Sequence, residues 1–288
     1  MGFRDRLVKL IGGKGVGGTS PETVGSQGAS SRWEPVLYAG WESVVPPRDF
    51  WAGPGDPLVH FFRWPWEYLS YLTLLCEMRE DAAVLELGCN HGRTMLGLLG
   101  YLRSPGRYEG LDILPAQIAF AQEHIRPDSF EARFTVADVY NGAYNPTGKF
   151  RASEFCFPYT DASFDVAYAA SLFTHLLPAD ASNYFRETRR ILKPGGRALF
   201  SFFLLDDYRG PGTSACSLYE FNFPLPGNAG VAVHDEEHPE AVIAYDRHSI
   251  HRMAKEAGLG VSRFVPGVWS RSHAVSVNEQ DLVLLEAR

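Results

Sequence analysis

The chain has few cysteines, no surplus of positive charge and no long apolar run, and each shortage removes a class of function. Its four cysteines, Cys76, Cys89, Cys156 and Cys216, stand far apart and form no CxxC pair, which leaves neither a zinc knuckle nor a dithiol redox motif. Reduced thiols and a cytoplasmic location are the expectation. No stretch approaches the roughly 18 apolar residues of a membrane span. The start, MGFRDRLVKLIGG, lacks the small-residue cleavage site of a secretory signal. Acidic residues outnumber basic ones, 34 against 27, for a formal net charge of −7. Nucleic acid is therefore not expected as a partner, because backbone-driven binding needs a basic face.

What is present has an orderly layout. Residues 1–12 read as a short amphipathic helix, with Phe3, Leu7, Leu10 and Ile11 on one side and Arg4, Arg6 and Lys9 elsewhere. Two readings stand for it: a fraying terminus, or a peripheral contact with a membrane surface or partner. Residues 12–32 are rich in Gly, Ser and Thr and have almost nothing to bury, so 1–32 is an N-terminal helix plus flexible linker. Residues 33–288 then form one domain with a helical cap at 33–80. Within the cap, the dense aromatics of FFRWPWEYL and the helical spacing of YLTLLCEM predict a helix whose first turn takes Pro65.

From residue 82 the pattern alternates. Strands are predicted at Ala82–Leu87, Tyr108–Ile113, Phe134–Val139, Phe164–Ala170, Arg197–Leu205, Val261–Trp269 and Asp281–Glu286. Helices are predicted at Thr94–Leu102, Pro115–His124 and Ala179–Leu192, and from an Asp246 N-cap to Ala257. LKPGG, residues 192–196, reads as a sharp turn into the fifth strand. Residues 206–245 interrupt the rhythm with Gly and Pro clusters and the stretch HDEEHPE, as a lid or a disordered loop does. Strands interleaved with helices at this spacing imply an α/β, doubly wound, mostly parallel sheet, and such sheets bind ligands at the carboxyl ends of their strands.

The most informative stretch is VLELGCNHGRT, residues 84–94. Glu86, Gly88 and Gly92 follow the first strand, Asp112 ends the second and Asp138 the third, and FPYTDASFDVAY and LKPGG come after in that order. Together, over roughly residues 57–288, these motifs resemble the class I S-adenosylmethionine-dependent methyltransferases. The resemblance implies a Rossmann-like seven-stranded sheet of order 3-2-1-4-5-7-6 with the last strand antiparallel, and S-adenosylmethionine as cofactor, leaving S-adenosylhomocysteine. It also implies roles. The loop Gly88, Cys89, Asn90 and Gly92 lies against the cofactor's methionine portion, and Glu86 acts near its amino group. Asp112, with Ile113 and Gln117 beside it, takes the ribose hydroxyls. Asp138 holds the adenine amine, and the Val139 N–H a ring nitrogen. Asn90 stands where the family pattern has Gly. Among residues with a Cβ, Asn best tolerates positive φ, and its amide can bond the cofactor or the loop itself, with His91 projecting from the rim. A nicotinamide-dependent oxidoreductase would need GxGxxG, whereas this loop gives GxxxG, and it has no use for LKPGG.

Methyl transfer from a sulfonium is an in-line displacement, so alignment supplies much of the catalysis; a base matters where a hydroxyl must lose a proton. His175, in SLFTHL after the fourth strand, is a candidate base, or else a histidine bonded to backbone at a helix start. His234, in HDEEHPE, is a second candidate base from the lid, the other reading being a solvated charged loop. Ser171 opens the first of these stretches and joins the cofactor side. Arg63, among the aromatics Phe62, Trp64 and Trp66, is read as the partner of the cofactor's carboxylate, with the rings closing over the site. Asp206 and Asp207 end the fifth strand, where some sugar O-methyltransferases of this superfamily hold magnesium with a third Asp after the fourth strand. That third place falls near Ser171 and carries no carboxylate, so no metal is expected. The motifs are similar to those of bacterial methyltransferases of glycan or natural-product biosynthesis. The resemblance implies O-methylation of a saccharide or glycosylated small molecule. N-methylation of a small amine, or an inactive cofactor-binding partner subunit, stand as alternatives. A homodimer is left open.

Overall fold

The computed structural model describes residues 45–46, 50, 57–208, 219–270, 276 and 278–288. The expected N-terminal helix and linker, residues 1–32, and most of 33–56 lie outside the described residues.

A single seven-stranded sheet organises the molecule. Its strands are β1 (Ala83–Leu87), β2 (Arg107–Asp112), β3 (Glu131–Val136), β4 (Phe164–Ala169), β5 (Leu192–Phe202), β9 (Leu259–Val265) and β10 (Asp281–Ala287), while β6 (Phe223–Pro224), β7 (Val231–Val233) and β8 (Ile243–Tyr245) lie in the lid. Their order is β3-β2-β1-β4-β5-β10-β9, which, counted over these seven, is the expected 3-2-1-4-5-7-6. β1 to β5 run parallel, and β10 is antiparallel to both its neighbours. All five residues of β1 are buried, as a central parallel strand covered on both faces requires.

Side chains alternate across these strands, and the two main cores follow that parity. Leu85, Leu87, Ala167, Ala169, Ala198 and Phe200 share one core with α3 (Pro178–Ile191) and α4 (Arg247–Ala257). Val84, Val166, Tyr168 and Leu199 share the other with α1 (Pro57–Leu74) and α2 (Pro115–His124). Residues two apart along a strand lie on one face, so Glu86 falls on the α1 side.

Four local expectations are corrected. Pro57, not Pro65, occupies the first turn of α1, and Pro65 lies inside the helix. Thr94–Gly100 is a 3-10 helix, packed so tightly against α1 that a Cβ on Gly97 would stand 2.1 Å from the Pro65 carbonyl oxygen. LKPGG is part of β5, and the register jumps there from Phe164↔Leu192 to Val166↔Arg197; Gly195, at φ 75°, lets the extra residues bulge out. The lid carries a short antiparallel sheet of β6, β7 and β8. Ile243 N donates to Thr174 O at 2.9 Å and Tyr245 N to Phe203 O at 3.0 Å, which ties the lid to the tips of β4 and β5.

Asp246 caps α4 as expected, its Oδ1 accepting from Ser249 N at 2.7 Å. Gly258, left-handed at φ 79°, ends that helix.

Candidate active site

A cavity of about 360 Å³ opens at the carboxyl ends of β1, β2 and β4. Its floor is the loop after β1. Gly88 N and Cys89 N donate to Leu111 O at 2.8 and 3.2 Å, folding the loop over β2. Gly88 and Gly92 have φ of 74° and 79°, and Asn90 takes the same left-handed region at 49°. Asn90 therefore preserves the bend that its Cβ would deny to most residues. Its amide oxygen accepts from His91 N at 2.8 Å and from His91 Nδ1 at 2.6 Å, so that oxygen serves the loop. Gly92 has a further reason to be glycine, since a Cβ there would stand 2.6 Å from Ile125 Cδ1. His91 is not on the rim: it is buried, stacks on Phe61 at 6.0 Å, and burial pushes its pKa down to about 3.

The three carboxylates that the sequence singles out separate sharply. Asp112 lines the cavity; its Oδ2 accepts from Asn90 N at 2.7 Å and its Oδ1 from Leu114 N at 2.9 Å. Burial raises its pKa to about 6, with those backbone donors working the other way. Glu86 also lines the cavity and is almost wholly buried. It accepts from the Thr94 hydroxyl, from Tyr108 OH at 2.5 Å and from Tyr168 OH at 2.8 Å. Desolvation lifts it to about 7 against these hydroxyls. Asp138 departs from expectation. The third strand ends at Val136, three residues before the expected Val139, and Asp138 Oδ2 pairs with Lys149 Nζ at 3.1 Å outside the cavity. Val139 does line the cavity, but its N–H donates to Ala137 O at 2.8 Å. Ile113 and Cys89 are part of the lining, whereas Gln117 is buried on α2 away from it.

The arginine assignment is corrected too. Arg63 is half-exposed and pairs with Glu67, one helical turn on, at 3.1 Å. Arg93 lines the cavity instead, its guanidinium carbon 3.8 Å from the centre of the Trp64 ring. Burial pulls its pKa down to about 10, with Glu86 opposing. Trp64 belongs to the lining, while Phe62 and Trp66 do not, and Trp66 is exposed.

At the tip of β4, Ser171 holds a left-handed φ of 60°. Its N–H donates to Ser201 Oγ at 2.7 Å and its Oγ accepts from Gln280 Nε2 at 2.8 Å. These two bonds hold an otherwise unfavourable backbone facing the cavity. His175 lines the same cavity, half-buried, with its Nδ1 at 3.2 Å from Glu240 O. A carbonyl only accepts, so Nδ1 carries the proton and the neutral ring keeps its lone pair on Nε2. Burial lowers the pKa of this histidine, the backbone carbonyls resisting. His234 reaches the cavity from the lid, its Nδ1 2.8 Å from Glu220 O. Asp206 and Asp207 instead hold the start of α4, Asp206 Oδ2 accepting from Arg247 N at 2.7 Å and Asp207 pairing with the Arg247 guanidinium at 2.9 Å. Asp180, Tyr144 and Glu240 complete this end of the lining and were invisible to motif reasoning, since each comes from a different loop or helix start.

Residues 84–196 match the family model described as a methyltransferase domain. The chain is 24% identical over 232 residues to 27-O-demethylrifamycin SV methyltransferase of Amycolatopsis mediterranei, covering 75% of this chain and 71% of that one. It is 30% identical over 121 residues to an uncharacterized protein of Haemophilus influenzae, 42% of each chain, so this match spans less than half of that relative. A solved SAM-dependent methyltransferase from Aquifex aeolicus shares the fold, with a TM-score of 0.50 at 16% identity over 81% of this chain and 94% of that one. The matched residues run from β1 to the bulge of β5 and supply most of the cavity wall, and over them the chain is similar to methyltransferase domains.

Proposed function

We propose that the protein methylates a hydroxyl of a saccharide or glycosylated small molecule. The cofactor, when bound, supplies an electrophilic methyl group on a sulfonium centre. The residues present fit its parts. Each Asp112 oxygen accepts one backbone N–H and keeps a further lone pair, which suits a ribose diol. Arg93 brings a cation to the lining with no carboxylate paired to it among the described residues, which suits the carboxylate of the methionine portion. Positive φ at Gly88 and Asn90 draws backbone against the ligand. With Asp138 turned to Lys149, the adenine wall is the apolar surface of Ile113, Ala137 and Val139.

The observation that carries the hydroxyl reading is His175. Its Nδ1–H is held by the Glu240 carbonyl, and its lowered pKa keeps the imidazole neutral near pH 7, so Nε2 can accept the proton that a hydroxyl gives up as its oxygen gains the methyl group. Aromatic rings of Tyr140, Tyr144 and Tyr219 in the lining suit the apolar C–H faces of sugar rings. The name of the Amycolatopsis relative, a methyltransferase of an O-demethyl compound, supports oxygen as the acceptor atom.

The test is product mapping by mass spectrometry on a panel of saccharide and amine acceptors. Wild type is expected to methylate oxygen, and His175→Ala to lose about 100-fold or more in turnover while binding S-adenosylhomocysteine as before. Transfer to nitrogen alone, unchanged turnover in His175→Ala, or cofactor binding with no turnover on any acceptor would overturn the reading.

A further inference from the structure

The acceptor end of the cavity is acidic. Asp180 in the first turn of α3, Asp235 on the lid and Glu240 just before β8 all line it, and Arg93, at the cofactor loop, is the one Lys or Arg of the described lining. The partners of these carboxylates are backbone N–H groups. Glu240 Oε2 accepts from Gly142 N at 3.0 Å and Asp235 Oδ1 from Glu237 N at 2.9 Å, while the backbone of Ser153 and Leu177 favours the charged form of Asp180. No ion pair neutralises any of the three among the described residues. Burial first, and Glu240 second, push the Asp180 carboxyl above its usual range, with Arg151, outside the lining, offsetting this in part. A charge of opposite sign from a ligand would relieve both effects.

The aromatic residues here add a second, independent feature. Tyr144 meets the His175 ring edge-on at 5.6 Å, and Tyr219 meets His234 at 5.7 Å. Both tyrosines line the cavity, and aromatic faces beside carboxylates attract a cation by two separate mechanisms. Glu240 also joins anchor to base, since its carbonyl fixes the His175 tautomer while its carboxylate sits on the 139–144 loop.

Resting on the methyltransferase reading above, we propose that the acceptor carries a protonated amine held by Asp180 and Glu240, so that the methylated hydroxyl belongs to an amino sugar or aminated glycoside. A protonated amine has no lone pair to attack with, so the anchor does not compete with the hydroxyl for the methyl group. Phosphorylated and carboxylated acceptors are excluded by like charge.

Calorimetric titration of the full chain saturated with S-adenosylhomocysteine tests this, using glucosamine disaccharide, its N-acetylated form and a uronic acid disaccharide. The free amine form is expected to bind about tenfold tighter than the acetylated form and the uronic acid not to bind. The Asp180→Asn, Glu240→Gln double variant should bring amine and acetyl forms within about twofold, with affinity for S-adenosylhomocysteine kept. Added salt should shrink the wild-type preference, a check that needs no variant. No saturable binding of the amine form, equal binding of amine and acetyl forms, or a preference that survives both substitutions would overturn the proposal. Methylation of neutral saccharides without amine preference would overturn it and leave the methyltransferase reading standing. Failure of S-adenosylhomocysteine to bind at all would remove both.

Discussion

Asn90 solves a backbone problem with a side chain. It accepts left-handed φ and then uses its own oxygen to hold His91 N and Nδ1, so the loop is stiffened where a glycine would leave it loose. Asn90→Gly is therefore expected to fold and to keep affinity for S-adenosylhomocysteine within a few-fold. Asn90→Val, β-branched at φ 49°, should lower it at least tenfold, as calorimetry would report. The arginines show how far single residues can be read. Glu67 lies one helical turn after Arg63, which is the spacing of a surface ion pair, so the sequence already held the reason why Arg63 is not a ligand. Arg93 carried a signal as well, a cation directly after a glycine loop. Its stacking on Trp64 depends on a helix packed from elsewhere. Arg93→Met should weaken S-adenosylhomocysteine about tenfold or more but leave 5′-methylthioadenosine, which lacks the carboxylate, nearly unchanged. Equal loss for both ligands would remove Arg93 from that role.

Elements set by local pattern were legible, and elements set by contact were not. α2 and α4 lie where Pro115 and the Asp246 cap predict, and the strands were readable because buried parallel strands are short apolar runs. The bulge in β5, the 3-10 turn and the position of Pro65 inside α1 depend on partners far along the chain. So does the lid sheet, whose strands are too short to show a period and are anchored by bonds to the tips of β4 and β5. Asp180, Tyr144 and Glu240 were not legible for the same reason, whereas His175 and His234 do line the cavity. The contact between α1 and the 3-10 helix gives a prediction at this scale. A methyl at Gly97 meets backbone, not a yielding side chain, so Gly97→Ala should destabilise the protein by roughly 1–3 kcal/mol in urea titration, although alanine is the better helix former. An unchanged midpoint would mean that the two helices are not packed this closely.

Across the whole molecule, buried carboxyls make stability depend on pH. Glu86 holds its proton to about pH 7 in the folded state, well above an exposed glutamate, so its contribution is complete at low pH and is lost as pH rises through 7. Asp112 and Asp281, both raised to about 6 by burial, act with the same sign at lower pH. The buried histidines His91 and His175, with lowered pKa, act oppositely, but mainly below about pH 6.5. Between pH 6.5 and 8 Glu86 therefore dominates. The ligand-free protein should lose about 1 kcal/mol over that window, and Glu86→Gln should remove the slope in thermal unfolding. Stability rising over that window would contradict the assignment.

The cavity at the ends of β1, β2 and β4 is the claim on which all of this rests, and Asp112 is its most exposed point. Calorimetry of the full chain with S-adenosylhomocysteine should show one site per chain, and Asp112→Asn should weaken binding about tenfold or more while leaving the unfolding midpoint near wild type. No heat with folded wild type, or equal affinity in the variant, would contradict it.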